Sequence, residues 1–253
     1  MKILALDFDG VVCDGLIEYF QTSWRSYCQI WQPDSTIPHP DIINTFYRLR
    51  PLVEIGWEMP LVIRALILNI PTEYIWQNWS NLVPEILEKD HLNSTEIGQI
   101  VDGIRDQWIA NDLPDWLSKH RFYPGIIDKL RSLINSSDIQ VYIITTKEGR
   151  FVRQLLQTQS LDLPNNFIFG KENKRPKYEI LRQLSGQDKL ETWFVEDRLK
   201  TLQSVAAQSD LNHIKLYLAD WGYNTQNTRD SIKNDPRIKL LSLSQFADNF
   251  SAW

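Results

Sequence analysis

Four short segments gather the side chains best suited to chemistry: Asp7-Phe8-Asp9-Gly10, Thr145-Thr146-Lys147, Lys174-Arg175-Pro176-Lys177 and Glu196-Asp197. Clustered carboxylates can act as nucleophiles, carry protons and hold a hard cation through oxygen. Hydroxyls and lysines can bear the negative charge that develops in a transition state. Asp-x-Asp alone says little, because two surface carboxylates give the same pattern. Its weight comes from its place. It closes the first apolar run of the chain, a glycine follows it, and acids close a later β-rich run as well.

The elements that must position these groups fall into three parts. Residues 2–7 form a short apolar run ended by acids, as a strand buried on both faces does. Residues 15–119 read as helical throughout, with apolar positions three and four apart at Leu52, Ile55, Met59 and Val62, and again from Ile97 to Trp108. Breaks are expected at Pro33–Pro40, Pro71, Pro84 and Asn93-Ser94. From residue 120 strands and helices alternate. Strands are predicted at 140–145, 167–169, 192–196, 214–218 and 238–241, and helices at 126–133, 149–157, 177–184 and 199–208. This is the pattern of an α/β fold, a Rossmann-like open parallel sheet with helices on both faces. The first strand must join that sheet, so 1–14 and 120–253 form one domain and 15–119 an inserted all-helical one. Ligands of open α/β sheets bind beyond the carboxyl ends of the strands, where the polar segments fall.

Composition narrows the classes. The 253 residues are 43% hydrophobic and 23% charged, enough apolar material for a sizeable core. A net charge of −5 argues against a nucleic-acid binder that works through a basic surface. Two cysteines, Cys13 and Cys28, make no disulfide framework, and His39, His91, His120 and His213 show no metal-ligand spacing. Apolar stretches such as Leu61–Ile70 are too short for a membrane span, so a cytoplasmic location is expected.

The segment Asp7-Phe8-Asp9-Gly10-Val11-Val12 resembles the first motif of the haloacid dehalogenase-like hydrolases. Ile143-Ile144-Thr145 resembles the second, the basic residues at 174–177 the third, and Phe194-Val195-Glu196-Asp197 the fourth, all in the family's order. Arg121–Gly125 is similar to the family's return into its core, and Leu216–Tyr223 to a late strand and loop of the phosphoglycolate phosphatase-like subgroup. Residues 15–119 match a C1-type cap in position and helical character only.

The resemblance implies a phosphatase that cleaves a phosphate monoester of a small metabolite. Asp7 becomes the nucleophile and Asp9 the acid and base. Gly10, Thr145, Thr146 and a lysine take the phosphate alongside Asp7. Lys177, opening a helix, is the expected lysine and Lys174 its competitor; Lys147, Lys171 and Arg175 are expected to be solvated. Mg²⁺ is the implied cofactor, held by Asp7, Asp197 and the carbonyl of Asp9. Glu196 stands either as a further ligand or as an orienting group, because the fourth motif departs from the commoner Gly-Asp form. Other readings are a dehalogenase forming an alkyl-aspartate ester and a catalytically silent module that binds a phospho-ligand. Neither nucleic acid nor membrane is an expected partner, and the oligomer is expected to be a monomer or homodimer.

Seven of the ten tryptophans fall between Trp24 and Trp116. Within that stretch Arg48, Arg50, Glu54, Trp57 and Glu58 form the densest polar-aromatic segment. It reads chiefly as a helix with solvated charges and one core aromatic, and otherwise as a clamp for an anionic or cyclic leaving group.

Overall fold

The N-terminal apolar run forms strand β1 (Lys2–Leu6), whose residues from Ile3 onward are buried. It lies at the middle of a six-stranded sheet with β4 (Ile139–Ile144), β5 (Ile168–Phe169), β6 (Thr192–Glu196), β7 (Ile214–Ala219) and β8 (Ile238–Leu241). The order is β5-β4-β1-β6-β7-β8, and every neighbouring pair is parallel. Leu4 pairs with Val141 on one side and Trp193 on the other, so β1 is sealed between β4 and β6. Three of the four polar segments therefore leave adjacent strands at one edge of the sheet, and the fourth follows β5 next to β4.

The helices α6 (Ile126–Ile134), α7 (Gly149–Gln157), α8 (Lys177–Ser185), α9 (Leu199–Ala206), α10 (Gln226–Ser231) and α11 (Leu243–Ala247) complete this unit. Ala5, Ile144, Phe194, Leu216 and Leu218 of the sheet meet Ile180, Leu181, Leu202 and Val205 of α8 and α9 in one buried cluster. The computed structural model describes residues 1–186, 190–250 and 253. It divides into two compact units, Met1–Asp14 with Arg121–Trp253, and Gly15–His120.

The second unit holds α1 (Leu16–Trp31), α2 (Pro40–Leu49), α3 (Met59–Ile67), α4 (Thr72–Lys89) and α5 (Ser94–Ser118). Pro84 does not end a helix as its type suggests. α4 runs through it, and the backbone leaves helical angles at Asn78, whose amide donates to the Tyr74 carbonyl at 3.1 Å. Asn93 does cap α5, its side chain accepting from Glu96 N–H.

The aromatic wealth of this unit is structural where its bonds are visible. The indole N–H groups of Trp24, Trp31 and Trp108 donate to Thr36 O, Asp90 and Asp115. Glu18 of α1 is wholly buried, and Arg105 of α5 grips it at 2.7 and 3.2 Å, with Thr22 and Trp116 also donating to it. That full set of donors offsets the desolvation of a buried ion pair. Arg50 donates to Val53 O at 3.1 Å and lies over the Tyr19 ring, while Arg48 is exposed and donates to Thr45.

A feature without sequence signal joins the two crossings of the chain. Strand β2 (Cys13–Asp14) pairs antiparallel with β3 (Arg121–Phe122), Cys13 opposite Phe122 and Asp14 opposite Arg121. Two residues are too few to show a strand period.

Candidate functional site

β1 stops one residue short of Asp7, whose N–H still donates to Val195 O of β6 at 2.9 Å. The backbone bond fixes where the carboxylate leaves the sheet. Asp7 is only 6% exposed. Its Oδ1 lies 2.9 Å from Lys177 Nζ, and the same ammonium donates to Glu196 Oε2 at 2.6 Å. Lys177, the first residue of α8, reaches both. Lys174 is exposed, in left-handed backbone (φ 50°), and so is Arg175, which donates to Gln183.

Ligand oxygens of Asp7, Glu196 and Asp197 lie within 4.8 Å of one another, all three side chains buried. Burial first, and then the charge of Glu196, push the Asp7 carboxyl up to about 7 against the pull of Lys177. Burial likewise raises Glu196. Burial works to lower Lys177, but the charges of Asp7 and Glu196 outweigh it and hold the ammonium above the usual lysine range. Of the three buried acids, Asp7 and Glu196 share the one ammonium of Lys177. An all-oxygen donor set with surplus negative charge suits a hard divalent cation such as Mg²⁺.

The two acids of the β6 end are held differently. Glu196 Oε1 accepts from the N–H groups of Asp197 (3.2 Å) and Arg198 (3.1 Å), while its other oxygen takes Lys177. Asp197 Oδ2 accepts from Tyr223 N–H at 2.8 Å. Asp197 also sits between two glycines. A Cβ on Gly10 (φ +86°) would lie 2.2 Å from Asp197 Oδ2, and one on Gly222 would lie 2.3 Å from Asp197 Cβ. Gly10 is thus required both by its backbone angle and by the close approach of the carboxylate.

Thr145 is buried just past β4, its N–H bonded to Phe169 O and its Oγ1 accepting from Lys147 N–H at 3.2 Å. Thr146 is exposed. Lys147 corrects the expectation of a solvated charge. It is 8% exposed, and its Nζ donates to Asp9 Oδ1 at 3.2 Å. Its carbonyl also accepts from Lys171 N–H at 2.9 Å. A buried ammonium needs a carboxylate partner, and Asp9 supplies it.

No protein-family model and no curated relative matches the chain. Solved structures do. A haloacid dehalogenase-like family hydrolase from Streptococcus pneumoniae aligns at TM-score 0.56 and 15% identity, over 95% of this chain and 93% of its own. A predicted phosphatase from Clostridium acetobutylicum gives 0.58 at 14%, over 97% and 96%. A predicted phosphoglycolate phosphatase from Haemophilus somnus gives 0.58 at 13%, over 98% and 96%. The fold is that of the haloacid dehalogenase-like hydrolases.

On this haloacid dehalogenase-like fold, Asp7, Lys177, Glu196 and Asp197 converge on one point, with Gly10 packed against Asp197. Asp9 with Lys147, and Thr145, occupy the neighbouring loop ends. Reading the sequence missed Lys147, Gly222, Tyr223 and Asn224 as parts of this arrangement. Lys147 carried one usable signal, its two-residue spacing from Thr145. The 222–224 loop is marked only by the likeness of Leu216–Tyr223 to a late loop of the subgroup, which assigns no role, because it acts mainly through backbone and amide groups: Asn224 Nδ2 donates to Asp197 O at 3.0 Å and to Ala219 O at 2.8 Å.

Proposed function

We propose that the protein is a Mg²⁺-dependent phosphohydrolase that cleaves phosphate monoesters of small metabolites through an aspartyl-phosphate intermediate. The observation that carries this reading is Asp7, a buried carboxylate at the end of the central strand, 2.9 Å from Lys177 and grouped with Glu196 and Asp197. The names of the phosphatases that share the fold agree with it.

In the first step an Asp7 oxygen bonds to phosphorus as the P–O bond to the leaving group breaks, and Asp9 gives its proton to the departing oxygen. In the second, Asp9 takes a proton from water as that water's oxygen bonds to phosphorus. The bond to Asp7 then breaks and phosphate leaves. Lys177 and the Thr145 hydroxyl carry phosphoryl charge, with Gly10 and Thr146 contributing backbone from their loops. Glu196 anchors Lys177 beside the nucleophile. Asp7, Asp197 and the Asp9 carbonyl would hold Mg²⁺, which when bound offsets the charge of phosphate and acids together. The helical unit of residues 15–120 acts in this reading as the cap that selects the leaving group.

The test is phosphate release from p-nitrophenyl phosphate and from a panel of phosphorylated metabolites, with Mg²⁺ and with excess chelator. Wild type should turn over only with Mg²⁺, and Asp7→Asn should be inactive. Full activity in Asp7→Asn would overturn the nucleophile, and turnover surviving chelation would overturn the metal.

A further inference from the structure

The loop after β7 grips Asp197 at both ends. Tyr223 N–H bonds the carboxylate at 2.8 Å, and Asn224 holds the main-chain carbonyl at 3.0 Å while Arg229 Nη1 donates to Asn224 Oδ1 at 2.9 Å. The loop is in turn moored to the first loop of the chain. Trp221 Nε1 donates to Val11 O at 3.0 Å, and the Tyr223 hydroxyl donates to Asp14 Oδ1 at 2.8 Å. Asp14 belongs to the β2–β3 ribbon, and Tyr223 is 8% exposed. The Tyr123 ring, just past β3, packs edge-on against Trp221. One residue therefore touches the carboxylate with its backbone and the ribbon with its phenol.

We propose that Tyr223 is a positioning residue for the metal site: its phenol, fixed on Asp14, sets the angle at which its N–H holds Asp197, and so sets the affinity for Mg²⁺. Outer hydrogen-bond partners of metal ligands act in this way, since they fix the ligand's orientation before the ion arrives. The inference rests on the reading of Asp197 as a Mg²⁺ ligand. It adds a residue whose side chain is directed away from the carboxylate.

Calorimetric titration with Mg²⁺ tests it without turnover, on wild type, Tyr223→Phe, Asp14→Ala and the double variant, each verified as folded by circular dichroism at the titration temperature. Tyr223→Phe should weaken Mg²⁺ binding about tenfold. Asp14→Ala should do the same, and the double variant should fall well short of the sum of the two losses, because both single variants break the Tyr223–Asp14 bond. Unchanged Mg²⁺ affinity in Tyr223→Phe, or additive losses in the double variant, overturns the positioning role. No heat of Mg²⁺ binding to wild type overturns instead the reading on which it rests. Asp14→Ala reaches the same bond from its other end if one variant fails to fold.

Discussion

Replacing Asp7 by Asn should change stability in a way that depends on pH. Folding lifts this carboxyl from 3.8 to about 7. A raised carboxylate pKa means that the folded state binds the proton more tightly than the unfolded chain. Stability is therefore lost as pH climbs from 3.8 to about 7 and is level beyond. At about 1.4 kcal/mol per unit, ionised Asp7 burdens the folded protein by about 4 kcal/mol at pH 8. About 2.5 kcal/mol of this accrues between pH 5 and pH 8. An asparagine has no such dependence, and loss of its contact with Lys177 is a constant offset, since Lys177 keeps Glu196 at 2.6 Å. In chelator, urea unfolding of Asp7→Asn and wild type at the two pH values should show the difference moving by about 2.5 kcal/mol toward the variant at pH 8. Saturating Mg²⁺ at pH 8 should narrow the gap, because wild type, which keeps the Asp7 carboxylate among the ligands, binds the cation more tightly than the variant. A movement below about 0.5 kcal/mol, or of opposite sign, would refute the account of Asp7 as a strained, buried acid.

Lys147→Met removes the 3.2 Å partner that orients Asp9, so turnover of alkyl phosphates should fall about a hundredfold, while first-turnover release of nitrophenolate from p-nitrophenyl phosphate, a step that spares the base role of Asp9, should fall less than tenfold. Nitrophenolate needs no proton to leave; equal losses on both substrates would show that Lys147 does not serve Asp9. Glu196→Gln keeps the shape but weakens the 2.6 Å anchor of Lys177. Its kcat should drop by about tenfold or more while Mg²⁺ affinity stays within about twofold. A Glu196→Gln enzyme that needs far more Mg²⁺ would make Glu196 a ligand after all.

The sheet is legible because strands buried on both faces read as unbroken apolar runs, as at Ile3–Leu6 and Trp193–Val195. Strand-end polarity then led to Asp7, Thr145, Glu196 and Asp197. Other parts were hidden for particular reasons. The β2–β3 ribbon is shorter than any period. Pro84 reads as a terminator, but α4 runs through it, and its departure from helical angles falls earlier, at Asn78. Lys147 reads as a surface charge because its partner stands 138 residues away in the chain. Whether Glu196 is a ligand or an orienting group stays open in the sequence, because it turns on which of its oxygens faces which donor, Oε2 taking Lys177 and Oε1 two backbone N–H groups.

The ribbon of Cys13–Asp14 against Arg121–Phe122 also bears on how the length of the inserted segment relates to the sheet. Residues 14 and 121 are cross-strand neighbours, so everything between them hangs from a single pair of adjacent positions. Directly opposed strand residues sit about 5 Å apart, a gap that a two-residue Asn-Gly turn closes. The segment therefore meets the core's strands at one pair of positions, and a change of length within it leaves the pairing of Asp14 with Arg121 in place. The length and make-up of residues 15–120 are thereby uncoupled from the register of the six-stranded sheet, because the segment enters and leaves at one cross-strand pair.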